Sequence, residues 1–67
     1  MKLLLNNKEI ETSVDSISLS QLLSNNYETL RGMAVAVNNK LVSRDKWDRT
    51  KLNPMDDVVV ITAAFGG

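Results

Sequence analysis

Sixty-seven residues make one domain near the lower size limit for folding alone, where only about 60% of the unfolded surface is buried. The chain has no Cys and no His, which excludes disulfides and the usual zinc ligand sets. Its apolar residues, 43% of the total, must therefore build the core. Eight basic residues balance eight acidic ones, so the net positive field expected of a nucleic-acid binder is missing.

The longest apolar runs, residues 33–37 and 58–61, are far short of a membrane span. Lys2 followed by only three leucines is too short for the hydrophobic region of a signal peptide. A soluble, cytoplasmic protein with no nucleic-acid or membrane partner is expected. The commonest covalent nucleophile and proton-transfer residues are absent. Asp and Glu stand beside turns or alternate with apolar residues, as solvated charges do. Neither an autonomous enzyme nor a metal site is expected.

Residues 1–5 read as a short aliphatic strand. Asn6-Asn7 follows, and paired asparagines can close a two-residue hairpin because Asn tolerates positive φ. The return strand is expected over residues 8–12, with Glu9 and Glu11 outward and Ile10 inward. A helix begins at Ser18, with Gln21 three residues later completing a capping-box pattern. Ile17, just before the cap, stands where a hydrophobic staple would pack on Leu22. Leu19, Leu22 and Leu23 share one face by the i, i+3, i+4 rule. Asn25-Asn26 is the expected end, with an asparagine in the left-handed cap conformation.

Residues 33–37 form the next strand, Met33, Val35 and Val37 on one face and Ala34 and Ala36 on the other. Asn38-Asn39 repeats the turn chemistry, and residues 40–42 return. Residues 43–52 are polar around a single Trp47, which predicts an irregular connection pinned by one buried ring. Although tryptophan is often a binding hot spot, in so small a core it is expected to be structural. Asn53-Pro54 marks a turn. Residues 57–62 are the strongest strand signal, with four consecutive β-branched residues.

Hairpin, helix, hairpin and final strand predict an α+β fold, with a mixed sheet of four to five strands and one helix across one face. The last strand belongs in the centre beside the first, because residues 58–61 lack polar alternation, as strands buried on both sides do. This is the β-grasp, or ubiquitin-like, arrangement. It assigns residues 1–62 to the folded domain and residues 63–67 to a flexible reactive tail.

The ending Gly66-Gly67 carries the functional signal. Two glycines fall together at a chain end in about one chain in two hundred at average usage. An appended end reads the same way, but after a β-grasp pattern the dipeptide points to chemistry at the terminal carboxylate. That carboxylate is unreactive until a second enzyme adenylates it in a nucleotide site. Glycine has no Cβ to block a close backbone approach there.

The chain resembles the ThiS family of thiamine-pathway sulfur carriers over essentially its whole length. The resemblance lies in Lys2-Leu3-Leu4-Leu5-Asn6, in Ala34-Val35-Ala36-Val37-Asn38, in Val42-Ser43-Arg44-Asp45-Lys46-Trp47, and in residues 58–67 with their Gly-Gly. The Arg44…Trp47 stretch discriminates best, since similar carriers place an Arg, an acidic residue and a Trp at that spacing. The resemblance implies a carrier protein that acts as co-substrate. An E1-like adenylating enzyme would activate Gly67 with ATP, a sulfur-donating enzyme would convert it to a thiocarboxylate, and thiazole synthase would take the sulfur. No permanently bound cofactor is implied. The chain departs from similar carriers in two places. It has Pro54-Met55-Asp56 where Asp-Gly-Asp is common, and Phe65 where a smaller tail residue is common.

A carrier needs a docking face as well as a tail. Alternation along the last strand puts Val58 and Val60 toward the helix and Val59 and Ile61 on the opposite face. Ala34 and Ala36 share that outer face if their strand is adjacent. Apolar patches rimmed by polar residues tend to be interaction sites, although a homodimer contact or ordinary exposed apolar surface would present the same pattern. The remaining alternatives are a molybdopterin-synthase-type carrier, a ubiquitin-like modifier joined to Lys, and a β-grasp interaction module that never reacts.

Overall fold

The computed structural model describes residues 1–13 and 16–62. Strands β1 (Lys2–Leu5) and β2 (Lys8–Glu11) form an antiparallel hairpin. Asn6 and Asn7 close it at φ 50° and 67°. Two successive positive φ values define a turn whose twist matches that of the flanking strands. Asn accepts this backbone more readily than other non-glycine residues. Asn38 and Asn39 repeat the device at φ 51° and 68°.

Before the helix comes β3 (Ile17–Ser18), and α1 follows over Leu19–Asn26. The Ser18 hydroxyl accepts from the Gln21 N–H at 3.1 Å, and the Gln21 side chain accepts from the Ser18 N–H at 3.4 Å. This capping box satisfies two of the donors that a helix start leaves bare. Eight residues are too few for a helix to persist on propensity. Burial of Leu19, Leu22 and Leu23 holds it to the sheet.

The end of α1 corrects the expectation of a left-handed asparagine cap. Asn26 is the last helical residue, but the capping residue is Tyr27, extended at φ −135°. The Asn26 side chain donates back to the Leu22 carbonyl at 2.8 Å, and the Tyr27 N–H donates to the Leu23 carbonyl at 2.9 Å. The helix therefore stops by local side-chain bonding and an extended exit. The positive φ comes later, at Gly32 (69°), where the chain turns into β4 (Met33–Val37).

β4 and β5 (Lys40–Val42) form the second hairpin. The segment after it, expected to be irregular, contains a 3-10 helix over Arg44–Arg49 and then β6 (Lys51–Leu52). β6 pairs antiparallel with β3 as a second, two-stranded sheet. Trp47 does pin this segment. It is 4% exposed, and its indole N–H donates to the Val42 carbonyl at 3.0 Å.

The last strand, β7 (Asp57–Thr62), occupies the middle of a five-stranded sheet in the order β2-β1-β7-β4-β5. It runs parallel to β1 and antiparallel to β4. With α1 packed on the inner face this is the β-grasp fold. The residues on the inward phase of their elements, Ile10, Leu19, Leu22, Leu23, Met33, Val35, Val37, Val58 and Val60, lie in the buried cluster or against it, and Ile17, Trp47 and Leu52 belong to the cluster as well. Leu3, Leu19, Leu23 and Val58 have no exposed surface. Each such burial is worth about 1.5–3 kcal/mol.

Candidate functional site

The outer face of the sheet is set by register. Ala34 stands opposite Ile61 and Ala36 opposite Val59, so directly paired residues point away from the core on the same side. All four expected docking residues therefore meet on one surface. Ile61 is 62% exposed, Ala34 is exposed, and Ala36 and Val59 are half-buried by their neighbours.

Sequence reading missed a fifth member. Leu41 is opposite Ala36 across β4 and β5, so it shares the outer face, and at 80% exposure it is the most exposed large hydrophobic residue among those described. Its signal was the phase of Lys40-Leu41-Val42. Val42 packs against the core, which turns Leu41 outward. The small Ala34 and Ala36 thus form the floor of a trough between Leu41 on one side and Val59 and Ile61 on the other. Strands lie about 4.8 Å apart, so the two ridges are about 10 Å apart. Toward β2 the face becomes polar, with Lys2 and Glu9 paired at 3.8 Å.

β7 is clamped from both sides by turn asparagines. The Asn6 backbone N–H donates to the Val58 carbonyl at 2.9 Å, and its side-chain oxygen accepts from the Val60 N–H at 2.8 Å. On the other side the Asn38 side-chain oxygen accepts from the Asp57 N–H at 2.9 Å, while its amide donates to the Asp56 carboxylate at 3.0 Å. Each asparagine thus supplies both the turn and a fastening for the central strand. Beyond Thr62 the chain continues into residues 63–67. The expected reactive residue Gly67 and the tail residues Phe65 and Gly66 lie there, outside the described residues.

The Arg44…Trp47 stretch fastens the far edge. The Arg44 guanidinium lies over the Trp47 ring, 5.1 Å from its centroid, and donates to the Leu30 carbonyl. In the turn before β7, Met55 takes φ 66°, and its N–H donates to the Lys2 carbonyl at 2.6 Å. The departure at Pro54-Met55-Asp56 therefore places a methionine in a left-handed backbone position. Among the described residues no helix is long and apolar enough to cross a membrane.

Comparison with known proteins agrees with this architecture. The model of the ThiS family matches residues 3–67. The crystal structure of a thiamine biosynthesis protein (ThiS) from Geobacter metallireducens superposes with a TM-score of 0.87 at 25% identity, covering 100% of both chains. An NMR solution structure of a thiamine biosynthesis protein from Geobacter metallireducens gives 0.83 at 25% identity, covering 100% of this chain and 88% of that one. A search of curated proteins finds no match. A family model that spans nearly the whole chain, residues 3–67, settles its kinship: the chain belongs to the ThiS family.

Proposed function

We propose that this chain is a sulfur carrier of thiamine biosynthesis, working through the carboxylate of Gly67. A carboxylate oxygen attacks the α-phosphorus of ATP in an E1-like adenylating enzyme, and pyrophosphate leaves. Sulfide (HS⁻) supplied by a sulfur-donating enzyme then attacks the acyl carbon, the C–S bond forming as the C–O bond to AMP breaks, and AMP leaves. The resulting thiocarboxylate gives its sulfur to thiazole synthase. ATP belongs to the activating partner, so this chain serves as co-substrate and holds no permanent cofactor.

The observation that carries the reading is the family match through residue 67, which takes in Gly66-Gly67 as well as the folded domain. The fold supports it physically. β7 is central and fastened on both sides, so the segment after Thr62 starts from a fixed point. Gly66 and Gly67 lack a Cβ, which suits threading of the backbone into a nucleotide site. The trough of Ala34, Ala36, Val59, Ile61 and Leu41 is the surface on which partners dock. Apolar, polar-rimmed patches of this kind are typical interaction sites.

The acceptor distinguishes this reading from its relatives. The chain, ATP, the adenylating enzyme and an isotope-labelled sulfur donor are incubated with thiazole synthase and its precursors. Label is expected in the thiazole product. Label delivered only to a molybdopterin precursor, or an isopeptide bond from Gly67 to a lysine, would overturn it.

A further inference from the structure

At the β5 edge of the sheet the chain leaves β5 after Val42 and turns into the 3-10 helix. The start of β4, Met33 and Ala34, is left uncovered on that side. A notch results, lined by Met33, Ala34 and Leu41, with Arg44 and Lys46 as its only charged lining residues among those described. Asp45 and Asp48 belong to the same 3-10 helix but do not line it. In a chain with no net charge, two cations beside an apolar wall are a local feature.

Arg44 is held in place before anything binds. Its guanidinium is stacked on the buried Trp47 and donates to the Leu30 carbonyl. A guanidinium has five N–H donors, so most of its donor capacity stays open. Among the described residues neither Arg44 nor Lys46 has a carboxylate at ion-pair distance; the pair formed is Lys2 with Glu9. A pre-positioned arginine loses less side-chain freedom on meeting a carboxylate than a free one does. The notch also opens onto the apolar trough, since Ala34 and Leu41 belong to both.

We propose that this notch is a carboxylate-reading socket for an acidic segment of the adenylating partner, an Asp or Glu flanked by an aliphatic residue. The acid meets Arg44 and Lys46, and the aliphatic side chain rests on Leu41 and Ala34. The inference rests on the reading of Gly67 as the adenylated terminus. Charge complementarity selects an acidic partner, and the wall selects one with an apolar neighbour to its acid. Such a contact acts on encounter and register more than on chemistry.

The test measures adenylation of Gly67 by the partner enzyme as a function of carrier concentration, at low and at physiological salt. Lys46→Glu changes an exposed residue and leaves the fold in place; Arg44→Ala is read beside it with thermal unfolding as a control. Lys46→Glu is expected to raise KM about tenfold with kcat unchanged and to flatten the salt dependence, since exposed charge pairs are screened by salt. Unchanged KM in both variants, with wild-type adenylation intact, would overturn the socket alone. A lowered KM would mean that the notch holds this chain's own tail, and would overturn the partner assignment. Failure of wild-type Gly67 to be adenylated at all would overturn the underlying reading and the socket with it.

Discussion

The side-chain oxygen of Asn6 accepts a hydrogen bond from the backbone N–H of Val60 at 2.8 Å, across 54 positions of sequence. In a continuing parallel ladder the Asn6 carbonyl would receive that bond. The turn at φ 50° ends the ladder, and the side chain takes the carbonyl's place. Asn6→Gly keeps the backbone freedom and removes the acceptor, leaving a partly buried N–H unsatisfied. It is expected to destabilise by about 1–3 kcal/mol. Asn6→Asp retains an oxygen and should cost less. Denaturant unfolding measures both, and equal stability of Asn6→Gly and wild type would show that the bond is not made.

Met55 gives a prediction of the opposite sign. It holds φ 66° with 53% of its surface exposed, so it bears left-handed strain with little burial in return. A left-handed non-glycine residue costs about 1–2 kcal/mol. Met55→Gly should therefore stabilise the domain, by about 1 kcal/mol once the flexibility of glycine in the unfolded chain is deducted. A lowered unfolding midpoint would contradict this.

The core prediction concerns Leu5 and Val58, paired across β1 and β7 and packed in one cluster. Truncating either to Ala is expected to cost about 2–4 kcal/mol, the range for lost buried aliphatic volume. Losses below about 0.5 kcal/mol at both, typical of surface sites, would mean that the register is wrong.

The outer face predicts a separable phenotype. Ile61→Glu places a charge where the free protein is already exposed, so unfolding should be nearly unchanged. Binding to the adenylating enzyme should weaken at least tenfold, about 1.4 kcal/mol. Leu41→Ser, on the opposite ridge of the trough, should weaken it too. Unchanged affinity for both in calorimetric titration would remove this face from the interface.

Much of the fold was legible because it is written locally. Asn6-Asn7 and Asn38-Asn39 advertise positive φ, Ser18 and Gln21 advertise a helix start, and the apolar run of β7 advertises a central strand. What escaped was set by distant partners. β3 and β6 are two-residue strands with no periodicity of their own, and they exist because Ile17 meets Leu52 and Ser18 meets Lys51. The 3-10 helix carries one buried residue, Trp47, too few to show a period. Asn26 ended the helix as expected but through its side chain, a choice that composition does not announce. Of the candidate site, strand phase placed Val59, Ile61, Ala34 and Ala36 together. Leu41 was overlooked because three residues make a poor sample of alternation, and Arg44 was singled out through the family resemblance alone, because its stacking on Trp47 depends on the turn after Val42.

The most direct measurement of the central claim is intact mass after incubation with ATP, the adenylating enzyme and the sulfur donor, for the full chain and for a chain lacking Gly67. The full chain should gain the difference between a sulfur and an oxygen atom, in an ATP-dependent manner. The shortened chain should unfold at the same midpoint yet show no gain, because its carboxylate falls about 3.5 Å short of the nucleotide, and errors of 1 Å can cost about a hundredfold in rate. A shortened chain converted at the normal rate, or a full chain whose mass never changes, would contradict the account.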